Sequence, residues 1–415
     1  MDMLKIATAG SVDDGKSTLI GRLLYETNAL KADQLAHIKD KSERNGFDYL
    51  DFSLATDGLL TEREQGITID VSHIYFSTPR RRFVIADSPG HVEYTRNMIT
   101  GASNAQTALI LVDARKGITE QTRRHFYITR LLGIRNLVLC VNKMDLVNYD
   151  QNVFSDIVID FNALAGRLPA GRLNVRAIPL SALKGENIAR HSSLMPWYQG
   201  DSLLQLLESE TADSRLDETP VLQVQYVLRP RTEALHDYRG YLGKVKAGVF
   251  RVGDSITALP SGLSTRVKKI EVHGHEVDAV RAGDNCSLLL EDELDISRGD
   301  TLVVAPEELT EYRSLTAKVC WMDRQPLSVG KKLWLQHGVN RVQARVTRID
   351  SVVATDTYEA REAEGAFRLN DIGLLELQLA NPIFGKPYAE SRAGGAFILI
   401  DEQSSNTAGV GFIEA

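Results

Sequence analysis

Gly10-Ser-Val-Asp-Asp-Gly15-Lys16-Ser17 follows directly on the apolar run Leu4 to Ala9 and leads into Thr18-Leu-Ile-Gly-Arg-Leu-Leu24, whose spacing is helical. Strand, glycine-bearing loop and helix in that order form the GxxxxGK[ST] pattern that cradles a nucleoside triphosphate. The glycines let the backbone bend so that successive N–H groups face β-phosphate oxygens, and the helix start adds its dipole. Lys16 bridges the β and γ groups, and the Ser17 hydroxyl reaches a magnesium ion. Gly10, Ser11, Val12, Asp13, Asp14, Gly15, Lys16, Ser17 and Thr18 are thus candidate contacts. The bland alternative is a plain Gly-rich turn.

Later segments supply what such a loop needs. Asp87-Ser88-Pro89-Gly90-His91 ends the apolar run Phe83 to Ala86 and delivers a carboxylate to the loop facing the phosphates. Asp87 suits the metal, usually through a water, and the Gly90 N–H suits the γ-phosphate. Asn142-Lys143-Met144-Asp145 ends the next apolar run, Asn136 to Val141. Guanine offers a ring N–H and an exocyclic NH2 side by side to the Asp145 carboxylate. Adenine would leave that carboxylate desolvated and unpaired, a mismatch worth a discrimination of roughly 10⁴. The base is therefore guanine. Ser181-Ala182-Leu183 ends a further run, Val175 to Leu180, where backbone N–H groups meet the guanine O6. That triplet carries weight only through its place.

Between the first loop and Asp87 lies Glu62-Arg-Glu-Gln-Gly-Ile67-Thr68-Ile-Asp70, preceded from Tyr25 onward by a long, charged and poorly periodic stretch. A connection of that length is either disordered or a functional lid. Thr68 is the candidate second protein ligand for magnesium, folding over the γ-phosphate and letting go once it has left. Without the other motifs Thr68 reads as an exposed strand threonine.

GSVDDGKS, EREQGITID, DSPGHVEYTRNM, NKMD and SAL resemble the translation-factor branch of the P-loop GTPases. The resemblance implies GTP with Mg2+, and it gives His91 the task of orienting the attacking water. It also implies that Val12 and Ile67 are the apolar pair that screens this histidine from the γ-phosphate; as bare residues they read equally as ordinary packing. Catalysis then falls to His91, Lys16 and Thr68, and metal binding to Ser17, Thr68 and Asp87.

At 415 residues the chain is too long for one core and implies two to three domains. It is 43% hydrophobic and has no apolar run near the ~18 residues of a membrane span. Its first residues enter a strand without a signal peptide, so the sequence reads as a soluble, cytoplasmic protein with no membrane partner. Cys140, Cys286 and Cys320 are scattered without metal-ligand spacing and read as buried free thiols of a reducing compartment. A net charge of −7 offers no global attraction for nucleic acid.

Residues 1–212 alternate apolar runs with helical stretches, among them Glu120 to Leu132 and Ser202 to Glu208. They predict an α/β P-loop GTPase domain, a mostly parallel sheet with helices on both faces. Beyond the polar linker Thr211 to Thr219 the texture turns to short alternating strands punctuated by Gly253-Asp254, Gly283-Asp284 and Gly299-Asp300, which predicts a small β-barrel over residues 219–307. A second small β-barrel is expected over residues 313–415, its strands starting near Leu315 beyond the charged joint Pro306 to Arg313. The stretch Arg239 to Asp254 is similar to the barrel signature that follows the GTPase domain in translation factors, so the resemblance covers the whole chain.

Within that branch two kinds of member fit: elongation factors that deliver aminoacyl-tRNA, and the GTPase large subunits of bacterial sulfate adenylyltransferases. Asp14 stands where tRNA carriers have a histidine. A carboxylate is electrostatically odd beside phosphates, so its side chain is expected to turn outward to solvent or a partner. Val71 to Asp87, Tyr94 to Met98, Asp113 to Gly117, Gln121 to His125, Asp295 to Asp300 and Gly395 to Asp401 resemble the sulfate-activating kind closely. Pro326 to Trp334 stands where bacterial elongation factors carry an aromatic, arginine-bearing strand pair used on tRNA, and the sequence displays no such pair. Val92-Glu93 departs from the Glu-Gln that many of these subunits have after the histidine. The closer resemblance implies a GTP-hydrolysing regulatory subunit. Its implied partner is a separate small catalytic subunit of the ATP pyrophosphatase type, which makes adenosine 5′-phosphosulfate from ATP and sulfate; no nucleic acid partner is implied. The row Arg341, Arg345 and Arg348 reads as a solvated face before it reads as a docking face for an acidic partner. No second GxxGxGK[ST] loop is present, so no adenylylsulfate kinase is expected within these residues.

Overall fold

The computed structural model describes residues 2–11, 13–44, 46–47, 49–55, 72–87, 95–168, 173–210, 218–230, 238–354, 357–363 and 365–414, apart from the side chains of residues 95, 96 and 100. Residues 1–213 with 355–358 form one compact unit, and residues 214–354 with 359–415 form a second.

In the first unit the strands are β1 (Met3–Ala9), β2 (Ser72–Ser77), β3 (Arg82–Asp87), β4 (Thr107–Asp113), β5 (Asn136–Asn142) and β6 (Asn174–Pro179). They lie in the order β2-β3-β1-β4-β5-β6, parallel except that β2 runs against β3. The run TALILVD of β4 is buried at every residue, as an interior strand covered on both faces requires. The helices are α1 (Lys16–Glu26), α2 (Ala32–Arg44), α3 (Thr95–Ala102), α4 (Glu120–Leu131), α5 (Gln151–Ala165) and α6 (Leu203–Ser209). Leu19, Ile20, Leu23 and Leu24 make the inner stripe of α1 and pack on Leu4, Ile6, Leu109 and Leu111 of the sheet. Each such buried side chain contributes about 1.5–3 kcal/mol, which fixes the helix that opens at the phosphate loop. Capping boxes start α4 at Thr119 and α6 at Ser202, within a residue of the expected starts.

The described residues between Tyr25 and Ala55 are more ordered than their composition suggests. They carry α2, which buries only Ile38 and Ser42, and a 3-10 turn at Phe52–Ala55 whose Phe52 ring lies 5.1 Å from that of Tyr25. Residues 56–71 and 88–94 lie outside the described residues.

The second unit holds two closed six-stranded antiparallel barrels. In the first, Ser255–Leu259 pairs with both Thr301–Val303 and Leu263–Val272, which closes the ring through Val221–Leu228, Gly240–Ala247 and Asn285–Leu290. In the second, Lys332–His337 pairs with both Asn340–Val353 and Ala396–Asp401, closing through Thr407–Ile413, Thr310–Trp321 and Ile372–Gly385. Each barrel has its own core, around Tyr241, Phe250 and Leu288 in one and Trp321, Phe367 and Leu377 in the other. The joint is shorter than expected: one 3-10 turn, Pro306–Glu308, and then a strand from Thr310 rather than from Leu315. Buried Gln223 of the first barrel reaches the second, donating to His337 O at 3.4 Å and accepting the Val339 N–H at 3.2 Å. A Cβ on Gly338 would sit 1.8 Å from Gln223 Oε1, so the turn has to pass there without a side chain.

The three cysteines are buried and form no disulfide, and burial pushes the Cys286 thiol up to about 12, with Asp284 adding to the shift. Among the described residues no helix is long and apolar enough to cross a membrane.

Candidate functional site

The loop after β1 turns through Gly15, whose φ of 90° is left-handed. A Cβ there would lie 2.5 Å from Asn142 Nδ2, so both backbone and space demand glycine. α1 then begins without a side-chain cap, which leaves its first amides available to an anion. Ser17 and Thr18 lie half-buried in that first turn. Lys16 is buried and donates to Gly10 O at 2.8 Å and Ser11 O at 3.1 Å, so its ammonium spans the loop. Burial lowers its pKa, against the pull of Asp87, Asp14 and Asp13.

Asp14 corrects the sequence-based expectation. Its side chain turns inward, is 1% exposed, and accepts the Ser11 N–H through Oδ2 at 2.6 Å. Burial raises the Asp14 carboxyl to about 6, opposed by that amide and by Lys16.

Asp87 ends β3 buried beside the loop, where the Thr8 hydroxyl donates to its Oδ1 at 2.9 Å. Asn142 ends β5 as a strut: Nδ2 donates to Asp14 O at 2.8 Å, and Oδ1 accepts the Ala182 N–H at 2.9 Å. The loop after β1 and the turn at Ala182 therefore hang on one side chain. Lys143, left-handed at φ 64°, donates to Asp13 O and pairs with Asp113 at 3.0 Å. Met144 is fully buried, and its N–H donates to Leu180 O. Asp145 Oδ1 is buried and has no hydrogen-bond partner among the described residues. A buried carboxylate oxygen left so is costly, and a ligand with N–H donors side by side, as guanine has, would satisfy it. Ser181 N–H donates to Glu186 O, and a purine oxygen at Ala182 would share that amide with Asn142. Leu183 O accepts from Arg22.

Val12, Thr68, Ser88, Pro89, Gly90 and His91, with Ile67, lie outside the described residues.

The sequence reading missed Thr8, Asp113 and His125. Burial would raise the Asp113 carboxyl, but Arg115 at 2.7 Å and Lys143 at 3.0 Å outweigh it and hold it well below the usual carboxylate range. His125 of α4 is buried near Lys16; burial first, then Lys16 and Arg124, lower its pKa to about 3, so it is neutral. Its Nε2 accepts from Gln121 Nε2 at 2.7 Å.

One feature of the last barrel also departs from expectation. The Arg341 guanidinium lies 4.8 Å over the Trp334 ring, so an aromatic and arginine contact does exist on this strand pair. Arg348 is bound to Asp350 and Glu376, as a solvated row would have it.

Residues 1–224 match the family described as elongation factor Tu GTP binding domain, residues 241–303 elongation factor Tu domain 2, and residues 314–414 the GTP-eEF1A C-terminal domain-like family. Sulfate adenylyltransferase subunit 1 of Tolumonas auensis is 45% identical over 414 residues, covering 99% of this chain and 86% of that protein. The protein of the same name from Cronobacter sakazakii is 46% identical with the same coverage. A bifunctional enzyme CysN/CysC of Xylella fastidiosa is 48% identical over 100% of this chain, which spans 66% of that protein. Among solved structures, sup35 complexed with GMPPNP aligns at 22% identity and a TM-score of 0.45, covering 100% of this chain and 94% of that one. Matches of this identity over nearly all of its length place the chain in the sulfate adenylyltransferase subunit 1 family, among the GTPases related to elongation factor Tu.

Proposed function

We propose that this chain is the GTP-hydrolysing regulatory subunit of a sulfate adenylyltransferase, coupling GTP hydrolysis to formation of adenosine 5′-phosphosulfate and pyrophosphate from ATP and sulfate on a separate small subunit. The nucleotide half rests on the unpartnered Asp145 oxygen, tied through Asn142 to an uncapped helix start. The sulfate half rests on the near full-length identity to relatives named for it.

With GTP present, Lys16 exchanges its two carbonyl partners for β- and γ-phosphate oxygens, and the loop amides from Gly10 to Thr18 take the remaining charge. Asp145 selects guanine. The oxygen donors Ser17, Thr68 and Asp87 suit a hard ion such as Mg2+, which when bound would neutralise charge on the phosphates. Thr8 fixes the Asp87 oxygen for that role. His91 orients the attacking water, so positioning and charge stabilisation do the chemistry. Forming a phosphate–sulfate anhydride is uphill. Departure of the γ-phosphate frees the segments of Thr68 and Gly90, and a subunit docked there registers the change.

The test is co-purification with the small subunit, followed by pyrophosphate release from ATP and sulfate with and without GTP. GTP-dependent acceleration is expected. Salt-sensitive binding of aminoacyl-tRNA without such stimulation would reassign the chain to an elongation role.

A further inference from the structure

We infer that binding of a guanine nucleotide shifts Asp14 toward its protonated form with proton uptake from solvent, so that this aspartate makes the affinity of the phosphate loop fall as pH rises. The inference rests on the nucleotide reading above. It starts from a carboxylate lodged within the glycine-bearing loop: 1% exposed, so near Gly10 that a Cβ there would lie 3.3 Å from Oδ2, and held by the Ser11 N–H at 2.6 Å. No lysine, arginine or histidine forms an ion pair with it among the described residues, which is unusual for a buried acid.

The charged groups around it are few. From the loop and α1 comes Lys16, whose ammonium is bound to Gly10 O and Ser11 O. Asp113 and Lys116 act on it from the end of β4 and the turn beyond. Asp113 is itself bound to Arg115 and Lys143, and Lys143 also holds Asp13 O. Asp87 and His125 act on Lys16. Asp14 therefore titrates near 6, and the pull that keeps it from going higher comes from the Ser11 amide, Lys16 and Lys116.

A nucleotide changes two of these influences in the same direction. Its phosphates bring several negative charges to the loop, and they take Lys16 as their own counter-charge. Both raise the free energy of an ionised Asp14 in a poorly screened interior. The neutral acid relieves the repulsion and keeps its anchor, because Oδ2 still accepts the Ser11 N–H while the new proton sits on Oδ1. A group whose pKa is higher in the complex than in the free protein takes up a proton on binding, so affinity is greatest at low pH. Above the free pKa it weakens by up to about tenfold per unit.

Titration calorimetry with Mg-GDP and with a non-hydrolysable GTP analogue, at pH 7 in buffers of different ionisation enthalpy, reads the proton directly. Uptake of about half a proton or more per nucleotide is expected from the wild type. In Asp14→Asn the amide keeps an acceptor for Ser11, and the nucleotide's own titration remains as the baseline. This variant should show uptake lower by that amount, a Kd equal to wild type near pH 5.5, and roughly tenfold tighter binding at pH 8. Proton release, or equal linkage in the two proteins, overturns the inference. If Asp14→Asn does not fold, the buffer series on the wild type decides alone: uptake no greater than that of free Mg-nucleotide overturns it. Absence of any binding heat at every pH would instead overturn the nucleotide reading itself.

Discussion

Asn142→Ala removes two bonds in one step. The residue is 2% exposed; its Nδ2 donates to Asp14 O at 2.8 Å, and its Oδ1 accepts the Ala182 N–H at 2.9 Å. Truncation leaves a carbonyl and an amide without partners where water has little access. Each such orphan costs about 1–3 kcal/mol, so the nucleotide-free sheet domain should lose about 3 kcal/mol. If the proposed site is right, GDP affinity should fall as well, because the loop after β1 and the turn at Ala182 lose their common support. Urea unfolding followed by circular dichroism, without nucleotide and at several GDP concentrations, separates the two effects, since ligand stabilisation grows as RT ln(1 + [L]/Kd). A strut predicts loss in both series. If nucleotide-free stability stayed within about 0.5 kcal/mol of wild type while only GDP binding weakened, Asn142 would be a base contact and the reasoning would be wrong.

Further outcomes are expected. Asp145→Asn should weaken guanine nucleotides by a factor on the order of 10³ and improve xanthine nucleotides, because an amide donor now meets a carbonyl; competition binding with both bases reads this. His91→Ala should leave the Kd for GTP within a few-fold and slow hydrolysis by roughly a hundredfold in single-turnover assays with the small subunit present. Unchanged turnover would remove that histidine from the chemistry. Stability against pH holds two opposing slopes. His125, with its folded pKa lowered to about 3, loses stability as pH falls below its unfolded value of about 6.5, since only the unfolded chain takes the proton. Asp14, raised to about 6, gains stability as pH falls from there to about 4. In that window the two cancel, so Asp14→Asn should uncover a loss of about 1.4 kcal/mol per pH unit relative to wild type in urea midpoints at pH 6 and 4.5. Parallel profiles would refute the assignment.

The strand, glycine-bearing loop and helix around Gly10 to Ser17, the interior strand β4, the helices α4 and α6 and the two barrels were legible because each rests on local pattern: continuous apolar runs, helical spacing, and Gly-Asp turns at strand ends. Asp14 was not, because charge intuition about an isolated loop points the side chain outward, while the Ser11 amide and burial decide otherwise. The bond from Thr8 to Asp87 joins neighbouring strands 79 residues apart in sequence, and no spacing rule reaches that far. Asp113 did carry a signal, an acid two residues before Arg115 at the end of an apolar run, but its second partner Lys143 arrives only with the parallel register of β4 and β5. The Trp334 contact with Arg341 follows from hairpin register: Trp334 opposes Gln343 and Gln336 opposes Arg341, which sets aromatic and guanidinium diagonally on one face.

Gln223 bonds to a turn 114 residues further along the chain, and a Gly338 that tolerates no side chain holds the fit. Cutting away the final barrel would strand a buried amide on the remaining one. The C-terminal half is therefore expected to melt in a single transition, the two barrels sharing one fate because the amide that one buries is satisfied only by the other.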